Sequence, residues 1–319
     1  MTGDFPRPSR VRANGIQLSV HEQGSGPPLI LLHGFPELAY SWRHQLPALA
    51  AAGYRAIAPD LRGYGGSGKP HGVAEYTIEK LIGDVLGLMQ ACGIERSLFA
   101  GHDWGALLLW HLALSHADRI AGMIVLNVPF YASPAADPIR LMRERLGPNF
   151  YIINFQDSDE ADRRFAEDVP HFFDIMMRRH QVTRARFDQL PAEKKVLSLL
   201  AAMDRKESGG EPLLTSAERE VFVSAFKSGG FTGPINWYRN WSHNWQSYRQ
   251  LPQIVEVPTL FIGAVDDVIV SPQHIEAMKP RVRDLELHMI DDCGHWTQQE
   301  QPQRVNALML DWLARRFPA

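Results

Sequence analysis

SLFAGHDWGALLLWHLALSH, residues Ser97 to His116, is the stretch that decides how this chain folds. It opens on an apolar run, Ser97-Leu98-Phe99-Ala100, which predicts a buried strand. From Ala106 it continues as a long apolar helix pattern. Only Gly101-His102-Asp103-Trp104-Gly105 lies between the two. A strand that turns into a helix within one or two residues crowds its own backbone, and the two glycines remove side chains that would collide. The residue at the apex then stands above the sheet with a helix starting behind it. That residue is Asp103. A serine at such an apex attacks acyl groups, whereas a carboxylate attacks saturated carbon and leaves an alkyl ester on the protein. The plainer role for an aspartate here is a helix N-cap.

Working outward, Thr77 to Ala91 has a helical pattern and Ile120 to Leu126 reads as the next strand, ending at Asn127. An asparagine cannot stabilise a histidinium by charge, so an acidic partner is expected elsewhere. Upstream, Val11 to Glu22 reads as a hairpin turning at Asn14-Gly15. Pro28 to Leu32 is a short buried strand that runs into His33-Gly34-Phe35-Pro36-Glu37. Loops at the carboxyl ends of parallel strands are where α/β folds place binding groups, and the Phe35 backbone N–H is a candidate oxyanion donor. His33 and His102 are expected to be structural, tying backbone together. Leu38 to Ala52 suits a helix and Tyr54 to Ala58 another strand. Gly63 to Lys69 fits the start of a phosphate-binding loop, G-x-x-x-x-G-K, but Pro70 follows where Ser or Thr is needed and no helix opens there. Nucleotide binding is rejected on that ground.

Downstream the strand–helix alternation stops. Ser133 to Arg140 reads as a crossing segment, and the chain beyond is mostly helical, broken by a polar loop at 205–216. Residues 132–245 are expected to form a helical cap inserted into a core made of 1–131 and 246–319. A cap excludes water and lines a pocket with apolar side chains. Tyr151 and Tyr238 lie in apolar stretches of it. By residue chemistry alone they pack in a core with their hydroxyls satisfied; the functional reading sets both phenols above Asp103, to bind and protonate a leaving oxygen. Alternation returns with the strand Pro258 to Ile262, then Gly263-Ala264-Val265-Asp266-Asp267-Val268, then the strand Leu285 to Ile290 and Asp291-Asp292-Cys293-Gly294-His295. A closing helix spans roughly Pro302 to Arg315. Carboxylates and a histidine thus follow successive strands in the order Asp103, Asp266 or Asp267, His295, the order of nucleophile, acid and base in an α/β-hydrolase.

With 319 residues and a formal net charge of −3, the chain offers no basic surface for nucleic acid or an anionic membrane. Two cysteines, Cys92 and Cys293, give neither a disulfide framework nor metal-ligand spacing. The first residues lack an apolar signal core and no run approaches a membrane span. The expectation is a cytoplasmic protein with no cofactor, no metal, no nucleic-acid partner and no membrane insertion. A homodimer is compatible with the sequence.

Four motifs together, Gly-His-Asp-Trp-Gly, His-Gly-Phe-Pro-Glu, Gly-Pro-Ile-Asn-Trp-Tyr-Arg-Asn and Cys-Gly-His-Trp-Thr-Gln, resemble soluble epoxide hydrolases from about Pro28 to Trp312. The resemblance implies an α/β-hydrolase fold, with a mostly parallel sheet flanked by helices and an inserted helical cap. It implies hydrolysis of a small-molecule epoxide to a vicinal diol through an ester on Asp103, without a cofactor. It maps the family's two cap tyrosines onto Tyr151 and Tyr238, its base onto His295, and its oxyanion donors onto the N–H groups of Phe35 and Trp104. It places the acid three residues after the strand-end glycine, hence at Asp266 rather than Asp267. The elbow and His-Gly-Phe-Pro are shared with haloalkane and haloacetate dehalogenases, the rival reading, which would need halide donors where the phenols stand. A ligand receptor on an inactive hydrolase fold would normally lose a triad member, and a serine esterase would need G-x-S-x-G, which is absent.

Overall fold

The structure, a computed structural model, describes residues 5–206 and 209–319. Of the polar loop at 205–216, residues 207 and 208 therefore lie outside the described residues, as do the first four of the chain. The strands are β1 (Ser9–Ala13), β2 (Ile16–Gln23), β3 (Pro28–Leu32), β4 (Arg55–Asp60), β5 (Ser97–His102), β6 (Ile120–Leu126), β7 (Arg178–Arg179), β8 (Glu211–Pro212), β9 (Thr259–Ala264) and β10 (Leu285–Ile290). Eight of them form one sheet in the order β1-β2-β4-β3-β5-β6-β9-β10. The first hairpin pairs antiparallel, turning at Asn14 and Gly15, which both hold positive φ. β2 also pairs antiparallel with β4, and the remaining neighbours, β4-β3-β5-β6-β9-β10, are all parallel.

The central strands are apolar throughout because both faces are covered. Ile30, Leu32, Phe99, Val125 and Phe261 point into one core. Their neighbours Leu29, Leu31, Leu98, Ala100, Ile124 and Leu260 point into the other. This period of two assigns each strand residue to a layer.

Leu38 to Ala52 does not form the single helix expected. It divides into a 3-10 turn, Ala39–Trp42, and a helix, Gln45–Ala51. Pro47 explains the break: inside one continuous helix it would clash with the Arg43 carbonyl, but in the first turn of a restarted helix it is tolerated. Ala39 N–H is taken instead by the Asp60 carboxylate at 3.0 Å.

Between β6 and β9 most of the described residues are helical, with loops and the short β7–β8 ladder between the helices. Its interior is aromatic. Phe155, Phe165, Phe172, Phe173, Phe222, Phe226 and Phe231 are buried, with ring centres such as Phe165–Phe172 at 4.7 Å and Phe226–Phe231 at 4.9 Å. This layer sits on the carboxyl ends of the strands: Trp237 Nε1 donates to the Arg62 carbonyl (3.0 Å), Trp296 Nε1 to the Met176 carbonyl (2.8 Å), and Arg43 pairs with Glu218 at 2.6 Å.

The bend after β5 is the tightest point of the fold. Asp103 holds φ 52° and ψ −117°, a region costly for a residue with a side chain. A Cβ on Gly101 would meet the Gly105 carbonyl oxygen at 2.5 Å, and one on Gly105 would overlap the Leu32 carbonyl. Both obstacles are backbone and cannot swing aside. Gly105→Ala is therefore expected to destabilise the fold by about 3 kcal/mol or more, although alanine is the better helix former; urea denaturation checks this.

Candidate active site

Asp103 stands at the apex of the bend between β5 and the helix Trp104–Ser115. Its two carboxylate oxygens have different surroundings. Oδ1 accepts the Phe35 backbone N–H at 2.8 Å. Oδ2 lies 3.6 Å from His295 Nε2. Gly34 permits this approach, since a Cβ there would strike the Asp103 side chain. Trp104 is the first residue of its helix, where backbone N–H groups have no intrahelical acceptor. The expected donors Phe35 and Trp104 thus flank Asp103.

The carboxylate that meets His295 is that of Asp267, not the expected Asp266. His295 Nδ1 lies 2.9 Å from Asp267 Oδ2, while Asp266 accepts the Arg184 backbone N–H at 2.7 Å. The reason is where the strand ends. β9 runs on through Ala264, and the turn beyond it is closed by Asp267 N–H on the Ala264 carbonyl and Asp266 N–H on Cys293. That turn sends Asp267 inward, to 2% exposure, and Asp266 toward Arg184. Asp267 is further held by Asn127 Nδ2 at 2.7 Å and the Ile269 N–H at 2.9 Å. Asn127, which carries no charge, serves the site as a donor to the acid.

Burial by itself disfavours the His295 imidazolium, but the charge and hydrogen bond of Asp267 and the nearby carboxylate of Asp103 outweigh it, so its pKa lies well above the usual histidine value. Burial likewise pushes the Asp267 carboxyl up, and the His295 charge, with hydrogen bonds from His295, Asn127 and Ile269, brings it below its ordinary range.

Tyr151 opens the helix Tyr151–Asp157, and Tyr238 lies in the helix Thr232–Arg239. Their ring centres are 5.8 Å apart. The Tyr238 ring packs edge-on against Phe35 (5.4 Å) and Trp104 (5.0 Å), the residues flanking Asp103. Burial, then the charge of Asp103, raises the pKa of both phenols, which stay protonated. The five side chains are brought to one place, with Asp267 substituting for Asp266.

Beneath the site a second network joins three loops. Glu37 is fully buried. Its Oε2 takes the Gly34 N–H (2.9 Å) and faces His102 Nδ1 (2.7 Å); its Oε1 takes the side-chain amides of Gln298 (2.8 Å) and Gln299 (3.0 Å). His102 Nε2 faces the His295 carbonyl at 2.8 Å. An oxygen thus faces each ring nitrogen of His102. His33 instead accepts the Leu61 N–H at Nε2 (3.0 Å) and faces the Gly34 carbonyl through Nδ1, so it is neutral, in keeping with its burial. His33 ties two backbone segments together, as expected, whereas His102 joins the His295 backbone to the Glu37 carboxylate. The sequence marks Asn127 only as unable to act as the acid and gives Glu37 no role; both act through side chains distant in the chain.

Among the described residues, no group of three or more His, Cys, Asp or Glu could hold a metal ion, and no helix is long and apolar enough to cross a membrane.

The sequence pattern of the family described as the alpha/beta hydrolase fold matches residues 27–302. Epoxide hydrolase A of Mycobacterium tuberculosis is 40% identical, over 97% of both chains. Bifunctional epoxide hydrolase 2 of Sus scrofa is 34% identical over 94% of this chain, which spans only 53% of that longer protein. Among solved structures, epoxide hydrolase A of Mycobacterium thermoresistibile superposes with a TM-score of 0.88 at 35% identity, covering 97% of this chain and 98% of that one. Epoxide hydrolase VrEH1 of Vigna radiata gives 0.88 at 30% identity, over 99% of each.

The buried network has a pH signature. Burial opposes the Glu37 charge, but His102 and the Gly34 N–H more than offset it and hold the carboxyl down to about 2. A depressed carboxyl stabilises the fold above its unfolded pKa, and that stabilisation fades as pH falls toward the folded value. Glu37→Gln is expected to cost about 3–5 kcal/mol at pH 7, with the gap to the unmodified protein narrowing between about pH 4.5 and pH 2. Chemical denaturation across that range checks it.

Proposed function

The chain belongs to the α/β-hydrolase family and is an epoxide hydrolase, and from that premise we propose that it works through a covalent ester on Asp103, in two half-reactions under a helical cap formed by residues 132–245. The supporting observation is the unequal setting of the two Asp103 oxygens, one on the Phe35 N–H and one facing His295, with both phenols sensing the same charge. Oδ2 is the nucleophile. It attacks one epoxide carbon from behind, the C–O bond breaks with relief of ring strain, and Tyr151 or Tyr238 gives its proton to the departing oxygen. An unassisted alkoxide leaves poorly, and a positioned general acid contributes about 10²–10⁴-fold.

Forming the ester removes the Asp103 charge. His295 then loses one of the two carboxylates that raised its pKa and becomes a competent base. It takes a proton from water, whose oxygen attacks the ester carbon. The developing oxyanion is Oδ1, already on the Phe35 N–H and beside the helix start at Trp104; one such donor is worth about 3 kcal/mol of barrier. Collapse expels the diol with the old Oδ2 and leaves the water oxygen in Asp103. The water supplies two protons: the one taken by His295 goes to the departing alkoxide, and the one left on the new carboxyl oxygen restores the phenol. Asp267 orients the imidazole and compensates its charge.

The deciding experiment is intact-protein mass spectrometry with styrene oxide. His295→Gln should accumulate an adduct that maps to the peptide carrying Asp103; no adduct, or one located elsewhere, sinks the ester route. Chloride release from haloalkanes without diol formation from styrene oxide would favour the dehalogenase instead. Asp267→Asn should slow ester breakdown by about 10²-fold or more while Asp266→Asn stays near the unmodified rate. The reverse ranking in single-turnover kinetics would return the acid to Asp266.

A further inference from the structure

The helices that carry the two phenols are short, 7 residues for Tyr151–Asp157 and 8 for Thr232–Arg239. Helices of that length do not hold their own geometry. Their last carbonyls lack intrahelical donors, and each helix supplies the donor for the other. Arg239 Nε donates to the Phe155 carbonyl at 2.9 Å and Nη2 to the Ser158 carbonyl at 2.9 Å, closing the end of the Tyr151 helix. In return, Gln156 Nε2 donates to the Tyr238 carbonyl at 2.9 Å and to the Ile152 carbonyl at 3.1 Å. The guanidinium is locked further by a two-point pair with Asp162 (2.6 and 3.1 Å) and by Asn236 Oδ1 (2.9 Å). It is nearly buried, with 13% of its side chain exposed and 8% of Asp162. A guanidinium, planar with five donors, serves three elements at once where an ammonium cannot.

We propose that Arg239, with Gln156 opposite, is a positioning residue that sets the gap between the Tyr151 and Tyr238 hydroxyls by joining the carboxyl ends of their helices. The inference rests on the phenol roles given above. Arg239 reaches no reacting atom. Its influence falls on the half-reaction that uses the phenols and spares the one that uses His295, because Asp267, Asn127 and His102 hold His295 from elements Arg239 does not touch.

The test is rapid-quench mass spectrometry of ester formation and ester breakdown with styrene oxide. Arg239→Lys keeps the charge facing Asp162 and loses the multi-point grip. It should slow ester formation by about 10- to 100-fold and leave breakdown within about twofold. Gln156→Leu, which keeps the Arg239 pair, should shift the same step in the same direction and serves if Arg239→Lys does not fold. Arg219→Ala removes a comparable tie far from the phenols, to Asp174 (2.5 Å) and the Pro170 carbonyl (2.9 Å). It should lower Tm without slowing ester formation. Equal slowing of both steps, no slowing in Arg239→Lys or Gln156→Leu, or the same loss in Arg219→Ala overturns the positioning role while the ester route stands. Absence of any ester in the unmodified protein overturns both.

Discussion

The backbone at Asp103 is bent into a conformation that its side chain does not favour, and the rest of the site is arranged around keeping it there. Such strain persists only where neighbours over-determine it. Here they do: the Leu32 and Gly105 carbonyls close against Gly105 and Gly101, β5 is paired on both sides, and the Phe35 N–H holds one carboxylate oxygen. The result is a carboxylate lifted off the sheet, with one oxygen committed to a donor and the other left facing the histidine.

Electrostatics then separates the two halves of the chemistry. His295 lies between two carboxylates; in the proposed ester route Asp103 loses its charge, while Asp267 keeps its own, held by Asn127, Ile269 and His295. The base is thereby coupled to the state of the nucleophile. The Glu37 network performs a mechanical task underneath. One fully buried carboxylate gathers donors from the loop after β3, the residue before Asp103, and the stretch after His295. Three strand ends that share no sequence proximity are held in one register by it.

The helical layer contributes the phenols, and its stability is of a different kind. It rests on packed aromatic rings and on side chains that cap short helices rather than on long regular elements. A site built partly on such a layer needs extra ties, which the Trp237, Trp296 and Arg43 contacts to the core and the Arg239 and Gln156 contacts within the layer supply.

Much of this was legible in the linear chain. Strand positions β3, β5 and β6 follow from mostly apolar runs, because burial on both faces leaves little room for polar residues. The bend at Asp103 is legible because only glycine fits beside it, and the structural histidines because a loop imidazole most often ties backbone. Tertiary structure alone decided between Asp266 and Asp267. Adjacent residues leave a turn in opposite directions, and which one points inward depends on where β9 stops pairing with β10, a long-range property. The break in the helix after Leu38 is local, because Pro47 fits only the first turn of a helix. The roles of Glu37 and Arg239 are not local, since they come from partners as far as 262 and 84 residues away in the chain, and hydrogen bonds of that span are set by the fold rather than by local sequence.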